Sequence, residues 1–219
     1  MREWEEALGF IARIVESRHD RGAPELEIIG ARFNAHGPLI ELGRLDEAER
    51  LLQECREIFE AHRSWVDLAR TLSALAHLYH ACGDAANAIV TGQDALRHAY
   101  LAAIPQDIAI SHHGLGVYLC ASDNGVSTAL AHHLAAALIR DLVSDGRLRN
   151  SLRSVGIDFA SLPSGCPLPD TTDALYAQMS EVRGARLDEL VSYLGTPEKA
   201  QAALNRILTE AYELARCFQ

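Results

Sequence analysis

The feature that most constrains this chain is a pattern that returns every 40 or 41 residues. GRLDEA from Gly43 to Ala48 aligns with GDAANA from Gly83 to Ala88, and DNGVSTA ends one period later on Ala129. At the front, REWEEALGF places Ala7 one period before Ala48. A fixed period of this length implies a stack of supersecondary units, none of which can bury its apolar face alone. The unit is most legible from Ala69 to Leu96. Leu68, Leu72, Leu75, Ala76 and Tyr79 recur at i, i+4, i+7, i+8 and i+11, which is one face of a helix. Gly83 ends that helix because glycine takes the left-handed conformation at little cost, and Asp84 is placed to accept from the free N–H groups of the next helix. Ala88, Ile89, Ala95 and Leu96 then make the apolar stripe of the second helix, with Ala88 small where two backbones approach.

Leu72, Leu75, Ala76, Tyr79, Gly83, Ala88 and Ala95 follow, in order, the large, small, aromatic and glycine positions of the tetratricopeptide repeat, which this stretch resembles. Gly92 stands where that family carries a bulky residue. The resemblance covers about residues 2 to 144, with a period about six residues longer than the family's usual 34. It implies an all-α, right-handed solenoid of antiparallel helix pairs whose first helices line a concave, partner-binding surface. Carried over residue by residue, it puts Phe33, Ile40, Arg70, Ser73, His77, His80, Ile110, His113 and Val117 on that surface. Such a groove offers apolar anchors beside Arg70 and imidazoles that charge on the acid side of neutrality, a chemistry suited to acidic peptides. The lysine and asparagine clamp of chaperone-binding members is not present, because Lys199, the only lysine, lies outside the repeats.

Taken in order, residues 3 to 18 form an amphipathic helix that is second-type by register, with no first helix before it. Its Leu8, Ile11 and Val15 need cover, which a second copy of the chain or an upstream segment of a longer protein would supply. Leu26 to Leu42 is the next first helix, kinked by Gly37 and Pro38. Its partner runs from about Leu45 to His62. Pro105 opens a helix through Cys120, Asp123 to Gly125 turn the chain, and a strongly apolar helix follows over about Val126 to Val143. The repeats therefore occupy residues 1–146. Between 147 and 170, Gly156, Pro163, Gly165, Pro167 and Pro169 predict an irregular connection, packed through Ile157, Phe159 and Leu162. Residues 171–219 are predicted as a helical C-terminal cap with helices at about 171–182, 186–194 and 197–217, the last begun by Thr196 and Pro197.

Composition narrows the function classes. A formal charge of −10 argues against direct nucleic-acid binding, which needs Lys and Arg to meet phosphates. No apolar run approaches the roughly 20 residues of a membrane span. Five cysteines without a CxxC pair predict neither a disulfide framework nor a zinc ribbon, and fit a reducing cytoplasm. No phosphate-binding loop, dinucleotide fingerprint, HExxH or GxSxG motif is present. The ten histidines cluster as His77 with His80, His112 with His113, and His132 with His133. His77 and His80 have a spacing that can share a metal, with His113 the one further candidate, whereas zinc takes three or four ligands. They are read as groove or packing histidines, with no metal, cofactor or catalytic residue expected. The expected function is a non-catalytic interaction or regulatory scaffold binding a peptide or protein. The alternatives are a ligand- or peptide-sensing domain of a larger signalling or transcription-control protein and, more weakly, a metal-dependent helical enzyme using the clustered histidines.

Overall fold

In the computed structural model, left-handed residues punctuate the chain at a near-constant interval. Gly22, Gly43, Arg63, Gly83 and Ala103 have φ between 54° and 79°, and Ser144 follows 41 residues after Ala103. Each of the first four closes a helix with the same pair of hydrogen bonds. At Gly83 the amide reaches the carbonyl of His80 at 3.0 Å, and the amide of Asp84 reaches that of Tyr79 at 2.9 Å. This wraps up the last carbonyls of a helix and reverses the chain. The result is one helix about every 20 residues, two to each sequence period. The structure describes residues 1–121, 125–163, 165–166 and 168–216. Among them are twelve helices and no strand.

The chain divides into two compact units, Met1–His98 and Ala99–Gln219. The first holds α1 (Arg2–Asp20), α2 (Glu25–Phe33), α3 (His36–Glu41), α4 (Leu45–Ala61) and α5 (Trp65–Ala81), and the division falls within α6 (Ala85–Ala102). Its hydrophobic core has Ile29, Leu52, Cys55, Phe59, Leu68 and Leu75 at its centre, with Thr71 the fully buried polar side chain beside them. The single kinked helix expected over Leu26 to Leu42 is instead two. A proline lacks the N–H that would bond four residues back, and its ring crowds that carbonyl. Pro38 therefore forces the break at Asn34, and takes a place in the first turn of α3 where no N–H is needed. The Asn34 amide donates to the Gly30 and Ala31 carbonyls at 3.1 and 3.3 Å, which closes α2. As expected, Asp84 accepts from the Asn87 amide at 3.1 Å. No residue of α1 is fully buried. Its Leu8, Ile11 and Val15 line a cleft of about 470 Å³ together with Leu39 and Leu51, so that the following helices cover part of this face.

The second unit is built on α7 (Pro105–Cys120), α8 (Val126–Leu142), α9 (Leu148–Ser161), α10 (Thr172–Ser180), α11 (Leu187–Leu194) and α12 (Pro197–Ala215). Helix α8 packs against all five of the others. It is buried on every side from Ala129 to Arg140, the condition of a central helix. This explains why the expected boundary at residue 146 does not hold, since the C-terminal helices join α7 and α8 in one unit. The irregular connection expected over 147–170 is also corrected, because most of it is α9. Leu152 and Val155 face its core, whereas Ile157, expected to pack, is 46% exposed. Gly156 is a contact point and not a break. A Cβ there would lie 3.2 Å from the Ala211 carbonyl oxygen on α12, so the glycine lets two helices approach. Pro105 and Pro197 open their helices as predicted, and Thr196 caps α12 by accepting from the Lys199 amide at 3.3 Å. Asp123 and Asn124 of the predicted turn, together with Pro167 and Cys217, lie outside the described residues. No described helix is long and apolar enough to cross a membrane.

Candidate functional site: a polar face in the first unit and a histidine cluster in the second

In the first unit, α5 buries Leu68, Leu72, Leu75 and Leu78 and turns Arg70 and His77 outward, with Ser73 and His80 half-buried between them. This is the helical period acting on a stripe of leucines, and it leaves a polar face on the opposite side. The predicted groove residues Phe33 and Ile40 lie half-buried at the edge of the core. The Phe33 ring rests 4.5 Å from that of His36, and the Phe33 carbonyl meets His36 Nδ1 at 2.6 Å. Burial pulls the His36 imidazole below its ordinary value. The Phe33 carbonyl opposes this and the nearby His77 adds to it. Phe33, His36 and His77 are thus neighbours, and His36 is a member of this face that the sequence reading missed.

In the second unit the predicted groove residues separate. Ile110 is exposed and Val117 half-buried, while His113 is drawn inward against His133, with ring centroids 5.2 Å apart. Burial pushes the His113 imidazole down to about 4, with His133 and Arg140 adding to the fall, so His113 is neutral near pH 7. It is part of an interior cluster and not of an open face. The three-residue metal set considered for His77, His80 and His113 is not assembled among the described residues.

The cluster is two chains of polar contacts drawn from the end of α6 and from α7, α8 and α9. In one, the Tyr100 hydroxyl meets His112 Nε2 at 2.9 Å, and His112 Nδ1 meets His132 Nδ1 at 2.8 Å. Burial raises the Tyr100 phenol, so it keeps its proton to donate. Burial also carries His112 well below its ordinary value, and His132 down to about 3. With Tyr100 donating to Nε2, the His112 proton sits on Nδ1 and points at His132. In the other chain, His133 Nδ1 donates to Asp158 Oδ2 at 2.6 Å and the Cys120 thiol donates to Asp158 Oδ1 at 3.2 Å. His133 and Asp158 are both buried, whereas Cys120 reaches the surface. Gly116 makes this possible, because a Cβ there would sit 2.5 Å from the His133 ring.

This is not the arrangement of a thiol nucleophile. Such a cysteine faces an imidazole that takes its proton, whereas Cys120 faces a carboxylate. Burial pushes its thiol up to about 12, and Asp158 adds to the rise. The same three side chains do offer a sulfur, a nitrogen and an oxygen donor within 4.8 Å of one another. Only the pairing of His132 and His133 in a strongly apolar helix hints at an interior site in the sequence; Asp158 and Cys120 carry no such signal. No protein-family model, curated protein or solved structure matches the chain.

Proposed function

We propose that this protein is a tetratricopeptide-like, non-catalytic interaction module, in which the polar face of the first unit receives a peptide or partner protein. The observation that carries this reading is the repetition of helix and left-handed turn about every 20 residues, matched by Ala48, Ala88 and Ala129 as fully buried small residues one period apart. Repeats of this kind present the polar sides of successive helices as a contact surface. Arg70 and His77 are the exposed members of the α5 face, and a carboxylate-bearing segment suits them. Phe33 and Ile40 add apolar area at its edge.

The test is capture from a lysate of the source cells with the wild-type chain and with a variant carrying Arg70→Ala and His77→Ala, both verified as folded. Loss of two contact residues is expected to lower the recovery of a specific partner about tenfold, since each truncated hot spot costs on the order of 1 kcal/mol or more. Equal recovery of every captured protein by both chains would reject this face as the binding surface.

A further inference from the structure

We propose that Cys120, His133 and Asp158 form a binding site for a divalent transition metal of the zinc class. The donor set decides the class. Thiolate, imidazole and carboxylate together suit zinc or cobalt, whereas calcium and magnesium take oxygen ligands almost exclusively. Each ligand comes from a different helix, Cys120 from the end of α7, His133 from the middle of α8 and Asp158 from α9. With His133 and Asp158 each no more than 2% exposed, two of the three are fixed by the packing around them.

The distances are close to what a metal needs. Zinc bonds of about 2.0–2.3 Å in a tetrahedron set neighbouring donors roughly 3.3–3.6 Å apart. The Sγ to Oδ1 contact is 3.2 Å and the Nδ1 to Oδ2 contact is 2.6 Å. The three donor atoms lie within 4.8 Å of one another, so a metal entering between them shifts each by about 1 Å, replacing two hydrogen bonds by coordination. The thiol proton is released and the imidazole proton moves from Nδ1 to Nε2. Three protein ligands leave the fourth position to water or an external ligand atom.

Two stranded nitrogens support this assignment. His133 Nε2 and His113 Nδ1 are both buried without a hydrogen-bond partner, and their rings are neighbours. A buried polar atom without a partner costs free energy, so each asks for an explanation. A ligating histidine nearly always donates its second ring N–H to an acceptor. Metal at Nδ1 places the proton on Nε2, and the His113 ring, 5.2 Å away between centroids, is the neighbouring polar group in the cluster to turn toward it. The site also gives the buried Asp158 carboxylate a metal cation in place of its two hydrogen-bond donors, Cys120 and His133.

The site stands independently of the partner face on α5. It is tested on the full chain, purified under reducing conditions, stripped with chelator and titrated with Co²⁺. The expected result is one equivalent bound, with a thiolate-to-cobalt charge-transfer band in the near ultraviolet that Zn²⁺ abolishes by displacement. Cys120→Ser, at an exposed position that leaves the fold intact by circular dichroism, is expected to lose that band and at least about tenfold in affinity. Asp158→Asn is expected to keep the band and lose affinity by a similar factor. Folded wild-type chain that binds no more cobalt than Cys120→Ser, or binds it without the thiolate band, would overturn the proposal.

Discussion

The two units solve the problem of the interior differently. The core of the first is leucine, isoleucine, phenylalanine and alanine, with Cys55 the one sulfur among them. The second buries Ser111, His112, His132, His133, Arg140, Ser151 and Asp158 among its aliphatic side chains. Two cysteines make the contrast concrete. Burial pushes both thiols up to about 12, but Cys55 is surrounded by apolar groups while Cys120 hydrogen-bonds a buried carboxylate. An apolar core needs only to exclude water. A polar one must match every donor to an acceptor, and His133 Nε2, His113 Nδ1 and Arg140 Nε are left without partners, as are Arg97 Nε and His98 Nδ1 at the end of the first unit. The second unit gathers its buried histidines and Asp158 into one cluster, whereas the first, among the described residues, buries only Thr71 and His98 and carries Arg70 and His77 on the outside of α5.

If that comparison is right, the largest single loss comes from the apolar core. Phe59, only 1% exposed, is the largest fully buried side chain of the first unit. Phe59→Ala should cost about 3–5 kcal/mol, from lost burial plus the cavity left behind. Chemical denaturation measures it directly. A loss under about 1 kcal/mol would mean that this core is loosely packed and the contrast between the units is false.

The next effect is specific to the second unit and depends on pH. His112 is neutral in the folded chain because burial, helped by His132, holds its imidazole well below the ordinary value. In the unfolded chain it takes up a proton near pH 6.5. The unfolded state therefore binds more protons below that pH, and stability falls as the pH falls. Full stability is present above pH 6.5 and is lost progressively toward the folded value. Between pH 6.5 and pH 5 one such group removes up to about 2 kcal/mol. His112→Phe should remove its own share of this dependence, the remainder coming from the likewise depressed His113 and His132, measured as thermal unfolding at the two pH values against wild type. An unchanged slope would show that His112 charges inside the fold and that the cluster is not dry.

Local signals in the sequence located the helices well. Pro105 to Cys120 is the helix that was expected, as are α4 and the three C-terminal helices to within a few residues, because prolines, caps and leucine periods lie within one turn of the ends they set. Two failures have a shared cause. Gly156 reads in the sequence as a breaker, but its role is set by α12, whose Ala211 and Leu214 lie far along the chain. Likewise Cys120 meets Asp158 38 residues later, and His133 meets it 25 residues later. A period in one helix says which face is buried, not which side chain of another helix it will meet. Hence the polar face of α5 was legible through Arg70 and His77, and His113 was misplaced.

The smallest effect concerns the turns, where the two left-handed positions of each sequence period differ. Gly43 and Gly83 end helices within a period with φ of 72° and 79°, whereas the turns between periods at Arg63 and Ala103 hold side-chain-bearing residues at φ 54°. An L-residue in this conformation brings its Cβ close to the following carbonyl oxygen, at a cost of about 1–2 kcal/mol. Glycine avoids that contact, although its freer unfolded chain takes back about 0.4–1 kcal/mol. Ala103 is exposed, so no packing is lost with its methyl group. Ala103→Gly should therefore stabilise the chain by about 0.5–1 kcal/mol, and Gly83→Ala should destabilise it by a similar amount. For a chain of this length that is roughly 1–4 °C in melting temperature, in opposite directions. The paired sign is the test, since both substitutions exchange the same two residues at left-handed positions that follow a helix. If both variants melt lower than wild type, Ala103 is not held in the left-handed conformation, and the repeating turn does not extend from the first unit into the second.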